Sequence, residues 1–152
     1  MVCLLISISL AFAIPNLRSS LMTDELAQGS RKIISLIKSS RAQAVSKNEA
    51  FLIYYDAAED RLWYQPANTK EKEDTPIAHS SITLPPGIRI QGIKQLTTSN
   101  KDLGQNGIWI SKQGYMDKTA IQLADRDNTI LSLLISPFIP TIKVIEGPVD
   151  FK

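Results

Sequence analysis

A chain of 152 residues suits one domain with one long appended element. Its 43% apolar and 21% charged residues are ordinary for a globular protein, and a net charge of +2 is too small to advertise a nucleic-acid partner. One cysteine, Cys3, excludes an intrachain disulfide, and one histidine, His79, leaves a Cys/His metal centre or a histidine-based triad short of parts.

Residues 1–17 (MVCLLISISLAFAIPNL) carry no charge. The run lies at the short end of what a bilayer-spanning helix needs, typically ~20 residues. Leu4, Leu5, Ile6, Ile8, Leu10, Phe12 and Ile14 are its candidate lipid- or neighbour-facing side chains, with Pro15 as the one interruption. A secretory signal is the competing reading, since Ala11-Phe12-Ala13 has the small-x-small form of a cleavage site. That reading would make the mature chain a secreted β-rich binding module beginning at Ile14. No Lys or Arg precedes the apolar run, however, and Met1 and Val2 ahead of Cys3 do not fit a lipoprotein anchor.

Residues 18–48 favour a continuing helix. From position 18 to about Asn48 there is no proline and a single glycine, Gly29. Leu26, Ile33, Ile37 and Ala44 recur at a helical period, while Gln28, Lys32, Ser35, Lys38 and Ser46 fall mainly elsewhere. This stripe is expected to pack the helix onto the rest of the domain. Pro15 bends such a helix without ending it, because membrane helices tolerate the lost hydrogen bond.

From Ala50 the pattern turns to short β-type runs. Residues 51–56 (FLIYYD) and 61–65 (RLWYQ), joined by Ala57-Ala58-Glu59-Asp60, predict a hairpin. A polar stretch at 66–76 predicts a solvated loop, whose charges Lys70 to Asp74 read as surface. Further strands are expected at 81–84, 88–93, 108–112, 119–123, 129–135 and 141–145, punctuated by glycine and proline. The predicted class is α+β, with a long N-terminal helix packed on antiparallel sheets. Three parts are expected: residues 1–17 as a transmembrane or filament-core half, 18–48 as an amphipathic half, and 49–152 as a β-rich domain.

Several sharper readings are outweighed by plainer ones. Asp125, Asp127 and Asn128 begin like a calcium loop, but position six is Ile130 and position twelve is Ser136, so a turn is the better reading. His79 beside Ser80 and Ser81 has neither a nucleophile elbow nor a second histidine to support a hydrolase. Tyr54, Tyr55, Trp63, Tyr64, Trp109 and Tyr115 predict cross-strand or core packing before a binding face. Arg31, Lys32, Lys38, Arg41 and Lys47 predict a solvated basic helix face. Neither a cofactor nor a metal is expected, and no residue is a candidate for catalysis.

Two stretches carry a family resemblance. AFAIPNLRSS at 11–20 resembles the part of type IV pilin-like proteins where an apolar helix passes a proline into a polar half. Residues 26–65, with Ser40-Arg41-Ala42-Gln43-Ala44 and Lys47-Asn48-Glu49 feeding a first strand and hairpin, resemble the H-type minor pseudopilins of type II secretion and the related FimT proteins. The resemblance implies a pilin-like fold and a structural role in a short pseudopilus that helps export folded proteins across the outer membrane. It implies a single-pass inner-membrane protein with its C-terminal domain in the periplasm. Its partners would be other major and minor pseudopilins, inner-membrane lipid and secretion platform proteins. Aligning Pro15 with the family's proline places Met1 about two turns inside the helix. The basic leader, cleavage glycine and glutamate of the family are absent, so prepilin peptidase is a partner only of a longer precursor. The rival within the family is a FimT-like minor type IV pilin in pilus assembly or DNA uptake. The final residues EGPVDFK balance Lys143 and Lys152 against Glu146 and Asp150, offering phosphates no concentrated charge.

Overall fold

The computed structural model describes residues 2–68, 81–96 and 107–150, with the side chains of residues 3–23 outside that description. The charged run at 70–74 and His79 also lie outside it. One helix, α1 (Val2–Lys47), is followed by β1 (Phe51–Asp56), β2 (Arg61–Pro66), β3 (Ser81–Thr83), β4 (Arg89–Leu96), β5 (Gly107–Ile110), β6 (Lys118–Ala124), β7 (Ile130–Ile135) and β8 (Lys143–Glu146). The helix runs unbroken through Pro15, so the uncharged and amphipathic stretches form one element. It stops at Asn48, whose φ of 53° is left-handed. The Asn48 N–H reaches the Val45 carbonyl and the Glu49 N–H reaches that of Ala44, pairing two of the helix's final carbonyls.

The strands form two antiparallel four-stranded sheets, ordered β3-β2-β1-β5 and β4-β6-β7-β8. Helix α1 lies against strands of both. In the first sheet, alternation turns Phe51, Ile53, Leu62, Ile108 and Ile110 into the core. In the second, Ile121, Leu123, Leu133 and Ile135 do the same. A bulge between Ile90 and Gly92 shifts the register of β4. That extra residue lets Ile90 and Ile93, three positions apart, both pack against the core.

The opposite face of the second sheet is also covered. Ala120, Gln122, Ala124 and Ser132 are buried there. The chain after β8 crosses this face: Ser132 Oγ donates to the Gly147 carbonyl at 2.5 Å, and Gln122 Nε2 donates to that of Val149 at 3.2 Å. Lys94 on β4 then pairs with Asp150. The terminal segment is thus a strap spanning all four strands.

Tyr55 ties the sheets together. Its hydroxyl donates to Asp60 Oδ1 at 3.0 Å and accepts the Ile90 N–H at 3.4 Å. Burial and the bond to Asp60 outweigh the Ile90 N–H, and the phenol is pushed up from 10.0 to about 12. An acid with its folded pKa raised favours folding fully below its unfolded value and loses that contribution as pH climbs to the folded one. Stability is therefore expected to fall between pH 10 and about 12. Urea titrations across that window should show a shallower fall in Tyr55→Phe.

Candidate functional site

Leu26, Ile33, Ile37 and Ala44 all lie in the hydrophobic core, with Leu36 beside them. Two buried serines share this face, and both are satisfied locally: Ser30 Oγ donates to the Ala27 carbonyl and Ser40 Oγ to that of Ile37. Gly29 lets β-strand connections approach closely, since a Cβ there would stand 3.3 Å from Ile88 Cγ2 and 3.6 Å from Pro85 Cδ. The basic face is not wholly solvated as expected. Lys32 Nζ donates to the Thr83 carbonyl at 3.0 Å and Arg41 Nε to that of Gly114 at 2.8 Å, so two of its cations fasten the helix to the β-domain. Sequence patterning missed this because a long side chain can cover apolar surface while its charged end bonds beyond it.

Leu4, Leu5, Ile6, Ile8, Leu10, Phe12, Ile14 and Pro15 all belong to α1, in its part where only the backbone is described. Among the described residues, no helix is long and apolar enough to cross a membrane.

Among the described residues, chemistry-bearing groups are not brought together. No three His, Cys, Asp or Glu residues among those described could hold a metal. The turn of Asp125, Asp127 and Asn128 is closed from within: Asp125 is 3% exposed, and its Oδ1 accepts the N–H of Asp127 at 2.9 Å and of Thr129 at 2.8 Å. Asn128 supplies the left-handed residue that closes the turn, at φ 59°.

The aromatic residues pair across strands. Phe51 meets Tyr64 edge-on at 5.7 Å on the core side. On the outer face Tyr54 stacks on Trp63 at 5.7 Å, with Arg61 placed 5.5 Å over the indole. A cleft of about 240 Å³ lies beside Trp109, lined by Asn48, Glu49, Pro66 and Asn68. It is smaller than the ~300–1,000 Å³ of small-molecule sites.

A different feature stands out at the end where α1 stops. Val45 is 57% exposed, Tyr115 54% and Phe138 84%, with Leu96 and Ile139 also exposed. Tyr115 and Phe138 have ring centroids 6.2 Å apart. Gly114, left-handed at φ 81°, brings its loop against the helix, where a Cβ would meet Val45 Cγ2 at 3.0 Å. The sequence held one signal for this patch: Phe138-Ile139 sit between Pro137 and Pro140, outside any strand that could bury them.

Helix, sheets and end patch together define a fold that can be compared with others. No family model matches the sequence, and neither does any curated protein sequence. Solved structures do match. The minor pseudopilin EpsH from the type 2 secretion system of Vibrio cholerae superposes with a TM-score of 0.56 at 8% identity, covering 80% of this chain and 97% of EpsH. A second EpsH crystal structure gives 0.58 at 12% identity, over 84% and 98% of the two chains. The type IV minor pilin FimU of Pseudomonas aeruginosa gives 0.57 at 13% identity, over 81% of this chain and 90% of FimU. The chain has the type IV pilin-like fold, an N-terminal helix packed on two antiparallel four-stranded sheets.

Proposed function

We propose that this chain is a minor pseudopilin, a non-catalytic subunit of the pseudopilus through which a type II secretion system exports folded proteins across the outer membrane. The carrying observation is the single 46-residue helix α1. Its span from Leu26 to Ala44 is locked into the β-domain, while its first residues are an uncharged apolar run. Such an element fits two environments, lipid and a bundle of neighbouring helices, because its internal backbone groups bond within the helix, apart from the one hydrogen bond lost at Pro15, which membrane helices tolerate. On this reading the run at 1–17 sits in the inner membrane before assembly, the β-domain lies in the periplasm, and the partners are other major and minor pseudopilins and the secretion platform. Prepilin peptidase enters only for a longer precursor.

The similarity to FimU, with a TM-score of 0.57 beside 0.56 and 0.58 for EpsH, favours a second reading equally on fold: a minor type IV pilin in pilus assembly or DNA uptake. Identifying the proteins that co-purify from the native host separates the two, since secretion channel components and pilus components differ.

The helix is tested by Leu10→Asp. Placing Asp near the centre of a membrane helix costs roughly 2.5–3.5 kcal/mol on the insertion scale and puts an unpaired charge among neighbouring helices. The expected result is a β-domain as protease-resistant as wild type, with co-purification of other pilin-like subunits lost. Wild-type co-purification would remove the helix as the assembly element and sink the proposal.

A further inference from the structure

We infer that the strap after β8 is a salt-sensitive latch, pinned at Gly147 and released from Val149 outward; this goes beyond the subunit reading and does not depend on it. Its two ends are held by different physics. At the root, Gly147 is fixed on both sides. Its N–H donates to the Ile130 carbonyl at 2.8 Å, and its own carbonyl accepts the Ser132 hydroxyl at 2.5 Å. Ser132 is fully buried, so its bond stands where water competes poorly. At the tip the contacts are weaker. The Gln122 amide reaches the Val149 carbonyl at 3.2 Å, the long end of the normal range. The Lys94–Asp150 pair is open to solvent, with side chains 46% and 77% exposed. Exposed ion pairs contribute little, and salt weakens them further.

Pro148 separates the two ends. It has no N–H to add to either, and its ring fixes φ, so the freedom to lift begins after it. What the tip covers is specific. Ala120 is fully buried on this outer face, opposite Lys94 in the β4–β6 register and two residues from Gln122, the two groups that hold the tip. Lifting the tip bares Ala120 and frees the Gln122 amide and the Lys94 ammonium. Strand β8 keeps its pairing with β7, and Gly147 keeps both of its bonds. The opening is therefore local, of the kind that segments with few buried contacts undergo without the core. Ionic strength sets the closed fraction, because the tip is held by an exposed charge pair and the root by neutral hydrogen bonds.

The test uses the full-length chain in detergent with Cys3→Ser. Ala120→Cys places a thiol under the tip, and Ala44→Cys places one in the helix–sheet core, where only global unfolding exposes it. Labelling by a maleimide is followed in about 0.01 M and about 1 M salt, between which the Debye length falls from about 30 Å to about 3 Å. The expected result is labelling of Ala120→Cys several-fold faster at high salt, with Ala44→Cys unchanged. Adding Asp150→Asn should give the fast rate at both salt concentrations, and combining Lys94→Asp with Asp150→Lys should restore the slow rate at low salt. In the chain without added cysteines, backbone NMR relaxation should show Gly147 as ordered as β7, and Asp150 looser and loosening further with salt. Labelling of Ala120→Cys that ignores both salt and Asp150→Asn overturns the latch. So does Ala44→Cys labelling that rises in parallel, or equal order at Gly147 and Asp150 in both salt concentrations.

Discussion

Ile37→Asp is expected to leave the β-domain without a native fold. Ile37 is 1% exposed, on the helix stripe that meets both sheets. Among the described residues the core around it is apolar side chains, with the Tyr55 and Tyr64 hydroxyls as its polar exceptions, and contains no cation. Burying a carboxylate unpaired costs several kcal/mol, against a total stability of about 5–15 kcal/mol for a domain of this kind. Ile37→Val removes one methylene and should cost only about 0.5–1.5 kcal/mol. Thermal unfolding by circular dichroism, with limited proteolysis, distinguishes the pair. A cooperative transition near the wild-type temperature in Ile37→Asp would mean that the helix is not part of the core.

Asp125→Ala should be the most damaging change at a polar position. The buried Asp125 carboxylate holds two main-chain N–H groups of the β6–β7 turn, and the Asp125 N–H itself bonds the Thr129 carbonyl. Hydrogen bonds to a charged group contribute about 1.5–3 kcal/mol each, so the loss should approach the upper part of that range even after water reaches the exposed turn. Asp125→Asn keeps the accepting oxygen and should retain most of the stability. Denaturant midpoints of the two variants provide the comparison, and added calcium is expected to shift neither the wild type nor the variants. An alanine variant within about 0.5 kcal/mol of wild type would fit an ordinary surface position and contradict this role.

Sequence patterning succeeds here wherever the signal is local. The helix was legible because Leu26, Ile33, Ile37 and Ala44 repeat at its period and because nothing between Arg18 and Lys47 breaks it. The β1–β2 hairpin was legible from two aromatic runs around a polar turn, and its outer pair Tyr54–Trp63 is the cross-strand packing expected of strand aromatics. Strand β4 runs to Leu96, beyond the predicted 93, because its bulge disguises the alternation that marks a strand. Sheets in the plural were expected, but which strands share a sheet was not legible. It depends on β1 pairing β5 across more than fifty residues, and no local signal carries such a pairing. Leu36 escaped because it sits on the shoulder of the stripe, and Asp125 because turn residues are ordinarily read as exposed. The end patch escaped for a related reason: exposure of Phe138 depends on where two loops meet, which neither loop encodes alone.

The strap across the second sheet bears on how freely this chain can vary. At Gly147 and Val149 it is gripped through main-chain carbonyls, which every amino acid supplies. The recognising groups, Ser132 and Gln122, belong to the sheet. Substitutions in the strap therefore keep these two bonds so long as the backbone path survives, and Gly147, left-handed at φ 93°, is the position that most constrains that path. Neutral drift should accumulate at Pro148 and Val149 sooner than at Ser132 or Gln122. A selection for folded variants from a library randomised at all four positions would reveal that asymmetry.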